Sequence, residues 1–250
     1  LGANTTADNN TAVGYQAMVA NTTGASNVAV GALALDANTE GTQNVAVGHN
    51  ALTTVTTGSY SVAIGNSALA AQTTGANNVA IGRTAGAAMT TGTRNTFVGG
   101  SYALGTGSAN TTGYHNVFVG NDSGGTHTTG NNNTVVGTEA FKLNTTGTGN
   151  VAIGSKALCT ATTSSNNTAV GCGVLLSTTT GAGNVAIGAL ALYTNTTGCN
   201  NVVIGNSASC TSTTAEFSTI LGYKSSLSTT TGNNTATLGA CTLHNHTTGK

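Results

Sequence analysis

The chain has 250 residues, of which only 5% are charged, and its six Lys and Arg balance its six Asp and Glu. Soluble proteins average about 25% charged residues, and a chain without net charge offers little attraction to nucleic acid or to an anionic membrane surface. Its apolar runs are much shorter than the ~20 residues that span a bilayer. We therefore expect neither a nucleic-acid partner nor membrane insertion of this segment.

A five-residue motif, N-[VT]-[AFV]-[VI]-G, recurs along the whole chain. Its glycine, which we define as position 0 of each coil, recurs every 17 residues, with a single spacing of 21. A period this strict is the signature of a repeat architecture, and it predicts a single repeat domain over 1–250 with a four-residue insertion within 100–113. The fourteen coil glycines are Gly14, Gly31, Gly48, Gly65, Gly82, Gly99, Gly120, Gly137, Gly154, Gly171, Gly188, Gly205, Gly222 and Gly239.

Each coil is predicted to begin with a strand of about five residues that includes positions −3 to −1. Val or Thr at −3 and Val, Ile or Leu at −1 alternate with a small residue at −2, which is typical of a strand with one strongly apolar face. The glycine is expected to end this strand, where φ is positive or two backbones pass closely. A second short strand is predicted around +3 and +4, as at Ala34-Leu35, and Thr-Thr-Gly at +8 to +10 is predicted to lead into the next coil.

These elements predict an all-β fold, a parallel β-solenoid (β-roll) of about fourteen 17-residue coils. A lone coil buries too little apolar surface to offset the entropy of ordering it, so the coils must stack. Asn at −4 would then lie in a column whose amides bond one another. Apolar residues at −3, −2 and −1 predict that both strand faces are covered, one by the roll interior and one by a partner chain. The alternative is that Ala at −2 tolerates water.

The strings Asn78-Val79-Ala80-Ile81-Gly82, Asn150 to Gly154 and Asn184 to Gly188 resemble the head repeats of YadA-type trimeric autotransporter adhesins. Similar repeats occur in phage and viral tail fibres. The resemblance implies a left-handed roll, three chains side by side, and attachment to a host surface or matrix. The chain departs from that family in its longer period, its five cysteines and its lack of a heptad stalk or membrane-anchor domain.

The sequence predicts no catalytic residue, no cofactor and no metal site. Its acidic residues are scattered, and only Asp36 and Glu40 are near neighbours, whereas catalysis needs convergent acids, bases or nucleophiles. His244 and His246 form an H-x-H pair, which is fewer than the three or four ligands that a metal ion takes. We therefore expect the protein not to be an enzyme.

Two kinds of covalent modification are suggested by the sequence. Cys199 and Cys210 flank one coil and are the best-placed pair for a disulfide, although an odd number of cysteines leaves one thiol unpaired or intermolecular. Eleven N-x-[ST] sequons occur. The five in N-T-T turns, where a side chain is expected to reach solvent, are taken as the N-glycosylation candidates: Asn4, Asn21, Asn110, Asn144 and Asn195.

Residues 86 to 130 depart from the repeat. Gly86 and Gly124 replace Leu at +4, and Phe97 and Phe118 enlarge position −2. This stretch is predicted to bulge and to carry a specific contact, with Tyr102 and Tyr114 as anchors.

The leading functional interpretation is a non-enzymatic structural fibre or adhesive head that builds a rod or filament and attaches to surfaces. It would act outside the cell, on a cell surface or on a virion. Its expected partners are copies of itself, as a side-by-side trimer or an end-to-end filament, and a host surface, matrix or glycan. The alternative is an ice- or glycan-binding surface protein that uses its threonine columns.

Overall fold

The computed structural model describes residues 2–100, 105–227 and 231–243. Within these ranges it contains fourteen three-residue β-strands and no helix. The chain divides into two compact units, Leu1–Thr129 and Gly130–Lys250, and each is a parallel β-solenoid. The predicted fold class is thereby confirmed, while the expectation of a single domain over 1–250 stays a prediction.

In each unit every strand pairs in parallel with the strand of the following coil. The first unit contains β1 (Thr11–Val13), β2 (Val28–Val30), β3 (Val45–Val47), β4 (Val62–Ile64), β5 (Val79–Ile81), β6 (Thr96–Val98) and β7 (Val117–Val119). The second contains β8 (Thr134–Val136), β9 (Val151–Ile153), β10 (Thr168–Val170), β11 (Val185–Ile187), β12 (Val202–Ile204), β13 (Thr219–Leu221) and β14 (Ala236–Leu238).

The strand register places equivalent residues of successive coils in columns. Ala29 lies opposite Ala46, 17 residues further along the chain. Between β6 and β7 the offset grows to 21, yet Phe97 still lies opposite Phe118. The four-residue insertion is therefore accommodated outside the strands, and the columns continue past it.

The glycine at position 0 is required by both of the expected reasons. At Gly48, φ is +136°, which side-chain-bearing residues rarely adopt, and a Cβ there would lie 2.5 Å from the carbonyl oxygen of Gly65. Successive glycines thus let neighbouring coils approach each other closely as each chain segment leaves its strand.

The second strand predicted at Ala34-Leu35 is not formed. Residues after the glycine make a series of turns in which +2 and +4 are left-handed, with φ of 58° at Leu33 and 51° at Leu35. These residues send their N–H groups in opposite directions. Leu33 N–H donates to Tyr15 in the preceding coil, and Leu35 N–H donates to Ala51 in the following one. The coil-to-coil hydrogen bonds offset a strain of about 1–2 kcal/mol per left-handed residue.

The less hydrophobic face of the strand is the buried one, contrary to what hydrophobicity alone would suggest. Position −2 points into the roll, where Ala29 is fully buried, while Val28 and Val30 at −3 and −1 point outward. The interior of the coil at Gly31 is completed by −4, +3, +4, +7 and +10, which are Asn27, Ala34, Leu35, Asn38 and Gly41. The alternative in which Ala at −2 faces water is therefore wrong, because this narrow interior takes the small residue and leaves the β-branched ones outside.

The two large residues at −2 also face inward rather than forming a surface bulge. Phe97 and Phe118 are fully buried, with ring centroids 5.7 Å apart. Space for them comes from glycine at +4; in the coil that contains the insertion, positions are counted without the four extra residues, so that Gly107 is at +4 there. A Cβ at Gly107 would lie 2.5 Å from Phe97, and one at Gly124 would lie 2.6 Å from Phe118. The departures from the repeat in this region are therefore an exchange of volume between two interior positions.

Candidate interaction surface

In each unit the outward face of the strands is a partly exposed apolar surface. It consists of positions −3 and −1 of every coil, which we call the outer ladder. Ile64 and Ile81 in the first unit are 39% and 40% exposed, and Ile153 and Ile187 in the second are 39% and 38% exposed. Every residue of the outer ladder is Val, Ile, Leu, Ala or Thr: 11, 13, 28, 30, 45, 47, 62, 64, 79, 81, 96, 98, 117 and 119 in the first unit, and 134, 136, 151, 153, 168, 170, 185, 187, 202, 204, 219, 221, 236 and 238 in the second.

The size of the outer ladder follows from strand geometry. Seven strands about 4.8 Å apart give each unit a face about 30 Å long and, over two outward positions, about 10 Å wide. This is roughly 300 Å² of uncharged surface per unit, comparable with the largest apolar patches of monomeric proteins, which are often functional. Because the same side chains recur at a fixed spacing, this surface can interlock with another surface of the same spacing.

The asparagine column at −4 forms as predicted and has a structural role. The Asn95 amide nitrogen donates to Asn78 Oδ1 at 3.2 Å and to the Gly113 carbonyl at 2.8 Å, while Asn78 Oδ1 also accepts from the Asn95 backbone N–H at 2.9 Å. The same pattern recurs in the second unit, where the Asn184 amide donates to Asn167 Oδ1 at 3.1 Å. These side chains are buried, so much of the asparagine excess builds the interior.

The two threonines of each T-T-G turn have different roles. At +8 the hydroxyl donates to the backbone carbonyl of the next coil, as in Thr22 to Thr39 at 3.0 Å and Thr39 to Thr56 at 3.1 Å. At +9 the side chains are exposed, as at Thr57 and Thr74. Of these two columns of threonines, the one at +9 is therefore the one whose hydroxyl groups are exposed to a ligand.

The expectation that N-T-T asparagines reach solvent is wrong for four of the five. Asn21, Asn110, Asn144 and Asn195 are fully buried, because they occupy +7, which faces the interior. The Asn21 amide nitrogen donates to the carbonyl of Gly24, three residues later, at 2.9 Å, and Asn195 repeats this bond. Asn4 alone is exposed.

The predicted disulfide between Cys199 and Cys210 is not formed, because all five cysteines are free thiols. The Cys199 sulfur instead contacts the backbone, accepting from Ala182 N–H at 3.3 Å and donating to the Thr197 carbonyl at 3.2 Å. Partial burial raises the pKa of Cys210, and likewise that of Cys159, so these two thiols are less reactive than exposed ones.

Of the two tyrosines predicted to form a contact at the insertion, the structure describes Tyr114. Tyr102 lies outside the described residues, as do His244 and His246. Tyr114 is 44% exposed and lies edge-on to His115, with ring centroids 5.2 Å apart. With Phe97 and Phe118 now placed inside, a contact at this site depends on the tyrosines alone, and it stays a prediction.

Three charged side chains of the second unit, Glu139, Lys142 and Lys156, lie close together. Lys142 Nζ lies 2.6 Å from Glu139 Oε1, and Lys156 Nζ lies 3.6 Å from Glu139 Oε2. The hydrogen bond from Lys142, together with its charge, lowers the pKa of Glu139. Within residues 2–100, 105–227 and 231–243, no group of three or more His, Cys, Asp or Glu is placed to hold a metal ion, and no helix is long and apolar enough to cross a membrane.

Comparison with known proteins does not identify a family or a function for this chain. No protein-family model matches the chain, and no curated protein and no solved structure matches it either. The likeness to trimeric autotransporter heads therefore rests on the N-V-A-I-G segments alone and stays a prediction.

Proposed function

We propose that this protein is a non-enzymatic structural fibre or adhesive head that acts outside the cell, on a cell or virion surface, through its outer ladder. The observation that carries the proposal is the outward position of β-branched side chains such as Ile64 and Ile153 in coil after coil. Val and Ile already favour the strand conformation, but their exposed part gains further when it is covered. Covering them is favourable by about 25 cal/mol per Å².

A second copy of the chain is the partner that fits this surface best. Its outer ladder has the same rung spacing, so the side chains of one copy can pack between those of the other along the whole face. There are no charges on the ladder to repel each other. A side-by-side trimer, as the autotransporter resemblance implies, would pair these faces, whereas an end-to-end filament would join the ends of the rolls. A host surface, matrix component or glycan would be held by the assembled fibre.

The area of the ladder sets a condition on this association. Pairing one unit's face with an equal face removes roughly 600 Å² of total surface, about half of what a specific protein interface buries. A stable complex therefore needs the faces of both units to be covered. We expect that disrupting the ladder in either unit weakens association strongly.

Sedimentation velocity on the purified chain tests the proposal. The wild type should sediment as an oligomer at micromolar concentration. A variant with four outer-ladder lysines should be a folded monomer, because each lysine places a charge in the covered interface: Ile64→Lys, Ile81→Lys, Ile153→Lys and Ile187→Lys. A control adds the same four charges at exposed +9 positions and should stay oligomeric: Thr74→Lys, Thr91→Lys, Thr163→Lys and Thr180→Lys. A monomeric wild type, or ladder and control variants that behave alike, would refute the proposal.

A second candidate function is favoured by the +9 threonine file. Its hydroxyl groups are exposed and could bind ice or a glycan, whereas the +8 hydroxyls are already engaged with backbone carbonyls. This leaves one file of hydroxyls, where a flat ice-binding face needs several. A thermal-hysteresis measurement on the wild type decides the matter: activity that is lost when +9 threonines are replaced by valine would favour the second candidate over the fibre.

A further inference from the structure

The structure sorts the sequons into two groups by coil position. Four of the five in N-T-T segments place the asparagine at +7 inside the roll, and Asn4 is the exposed exception. A second group, three of the four N-N-T sequons, places it at −5, two residues before the strand. Asn9, Asn132 and Asn166 form this group, and all three side chains are exposed.

We propose that Asn9, Asn132 and Asn166 are acceptor sites for N-linked glycans. The proposal rests on the extracellular location proposed above, and it replaces the N-T-T asparagines as the candidates. A sequon needs both its asparagine amide and the hydroxyl two residues later to be accessible. Positions −5 and −3 both point outward, so Asn132 and Thr134 are exposed together, as are Asn9 and Thr11.

The amide nitrogen of each proposed acceptor is also available for reaction. No hydrogen bond within the described residues involves the side-chain amide of Asn9, Asn132 or Asn166, whereas Asn21 and Asn195 use theirs to satisfy a buried carbonyl. A glycan on a +7 asparagine would remove that bond and would have to occupy the packed interior. Such a chain could not form its coil.

The three acceptors share a backbone conformation as well. Their φ values are 60°, 59° and 59°, in the left-handed region that asparagine tolerates better than most residues. Because −5 is left-handed in other coils too, as at Gln43, this conformation belongs to the fold and does not depend on the sequon. A glycan there would not disturb the strand that follows.

The remaining described sequons lack one of these features. The Asn4 amide donates to the Ala7 carbonyl at 3.0 Å and accepts from its N–H at 3.3 Å. Asn121 is exposed, but the hydroxyl of its sequon belongs to Ser123, which is buried. Asn233 Oδ1 accepts from Glu216 N–H at 2.9 Å. Asn245 lies outside the described residues.

The chemical step is a glycosyl transfer from a polyprenyl-diphosphate-linked oligosaccharide, the donor that the host membrane supplies. The amide nitrogen of the acceptor forms a bond to the anomeric carbon of the first sugar. The bond from that carbon to the phosphate oxygen breaks, and its electron pair leaves with the polyprenyl diphosphate. The amide loses one proton to a base of the transferase, so charge and atoms balance without a redox reagent.

The glycans would occupy coils whose outer ladder is less apolar. A sequon at −5 requires Thr or Ser at −3, so the three glycosylated coils carry Thr11, Thr134 and Thr168 where most others carry Val. The coils with Val-Ala-Ile at the strand, such as Val79–Ile81 and Val151–Ile153, carry no sugar. The glycans would therefore solubilise part of the surface and leave the most apolar coils open for packing.

Glycopeptide mass spectrometry of the chain secreted from a eukaryotic host tests the proposal. The folded, protease-resistant fraction is deglycosylated enzymatically in heavy-oxygen water, which labels each occupied asparagine. We expect label at Asn9, Asn132 and Asn166 and none at Asn21, Asn144 or Asn195. Label on the second set in the folded fraction, or its absence from the first set, would overturn the proposal.

Matched variants separate occupancy from folding. Thr11→Val, Thr134→Val and Thr168→Val each remove one sequon and introduce the residue that other coils use at −3, so the solenoid is kept. Each should lose the mass of one glycan and shift gel mobility by one step, and the triple variant should carry none of the three. A variant that keeps its full mass would contradict the assignment. Glycan occupancy is measured independently of the oligomeric state. The glycosylation proposal can therefore be refuted while the fibre proposal holds, and the fibre proposal can be refuted while glycosylation is found.

Discussion

One coil of the first unit lacks the usual asparagine at −4, and a glutamine elsewhere in the coil makes the missing hydrogen bond. The contribution of that glutamine to stability can be measured. In most coils the −4 asparagine amide satisfies the carbonyl of the +10 residue, as Asn44 does for Gly58 at 2.8 Å. The coil at Gly65 has Ser61 at −4, which is too short for this contact. There Gln72 at +7 takes over, donating to the Gly75 carbonyl at 2.9 Å and to Ser61 Oγ at 3.2 Å.

Gln72→Val should remove this compensation while keeping the interior filled, since Val55 occupies the same position, fully buried, in the preceding coil. The Gly75 carbonyl then loses the amide that donates to it, which costs about 1–3 kcal/mol. In a Ser61→Asn background the new −4 amide can donate to Gly75 again. Gln72→Val should then cost much less, giving a coupling of about 1–2 kcal/mol in the double-mutant cycle.

Native-state hydrogen exchange measures this locally, which suits a repeat protein that need not unfold in one step. The Val62 amide, which donates to Asn78 at 2.8 Å, reports on the coil, and amides of the second unit serve as the reference. An opening free energy lower by 1–3 kcal/mol accelerates exchange by about 5- to 150-fold. If Gln72→Val accelerates exchange equally in both backgrounds, the compensation argument is wrong.

Three further predictions follow from the interior and surface contacts. Gly124→Ala should lower the free energy of unfolding by about 1–3 kcal/mol, because its Cβ would lie 2.6 Å from Phe118. This loss should be smaller when Phe118→Ala is also present, which calorimetry on the single and double variants measures. Thr39→Val should destabilise its turn by about 0.5–1.5 kcal/mol through loss of one hydroxyl-to-carbonyl bond, seen as faster local amide exchange. Lys142→Ala should raise the pKa of Glu139 toward its ordinary value, measured by NMR titration. In the wild type this ion pair stabilises the fold above the ordinary carboxyl pKa, and its contribution disappears as pH falls through the lowered pKa.

The repeat period carried most of the fold prediction. The recurring glycine, with one spacing of 21 among spacings of 17, located all fourteen strands, although each is three residues long and not about five. The recurring −4 asparagine predicted a hydrogen-bonded column that the structure contains. Both follow from stacking identical coils in register. The turns that replace the predicted second strand at Ala34-Leu35 could not be predicted, because leucine gives no sign that it will adopt a left-handed conformation. Only the coil-to-coil hydrogen bonds of Leu35 make that conformation favourable.

Which strand face is buried was not determined from the sequence, and β-branched residues, which normally mark the inside, would have suggested the wrong one. The interior of a 17-residue coil holds a leucine at +4 and has little room left at −2. The sequence contained a signal of this exchange. In two coils a large residue at −2 accompanies a glycine or a small residue at +4: Gly124 accompanies Phe118, and Ser226 accompanies Ile220. Two positions that trade volume must share one space, so −2 lies inside with +4.

The same comparison of columns explains why the N-T-T asparagines were placed on the wrong side. A segment of Asn, Thr, Thr and Gly has the composition of an exposed turn. Yet the coils that do not carry Asn at +7 carry residues such as Val55 and Met89, both fully buried, and a column that accepts Val and Met belongs to the interior. Asparagine fits there where its amide donates to the carbonyl of the glycine three residues later, as Asn21, Asn38 and Asn195 do. In a stacked repeat, therefore, a motif in one coil does not determine whether its side chain is buried; the residues at the same position in all coils do.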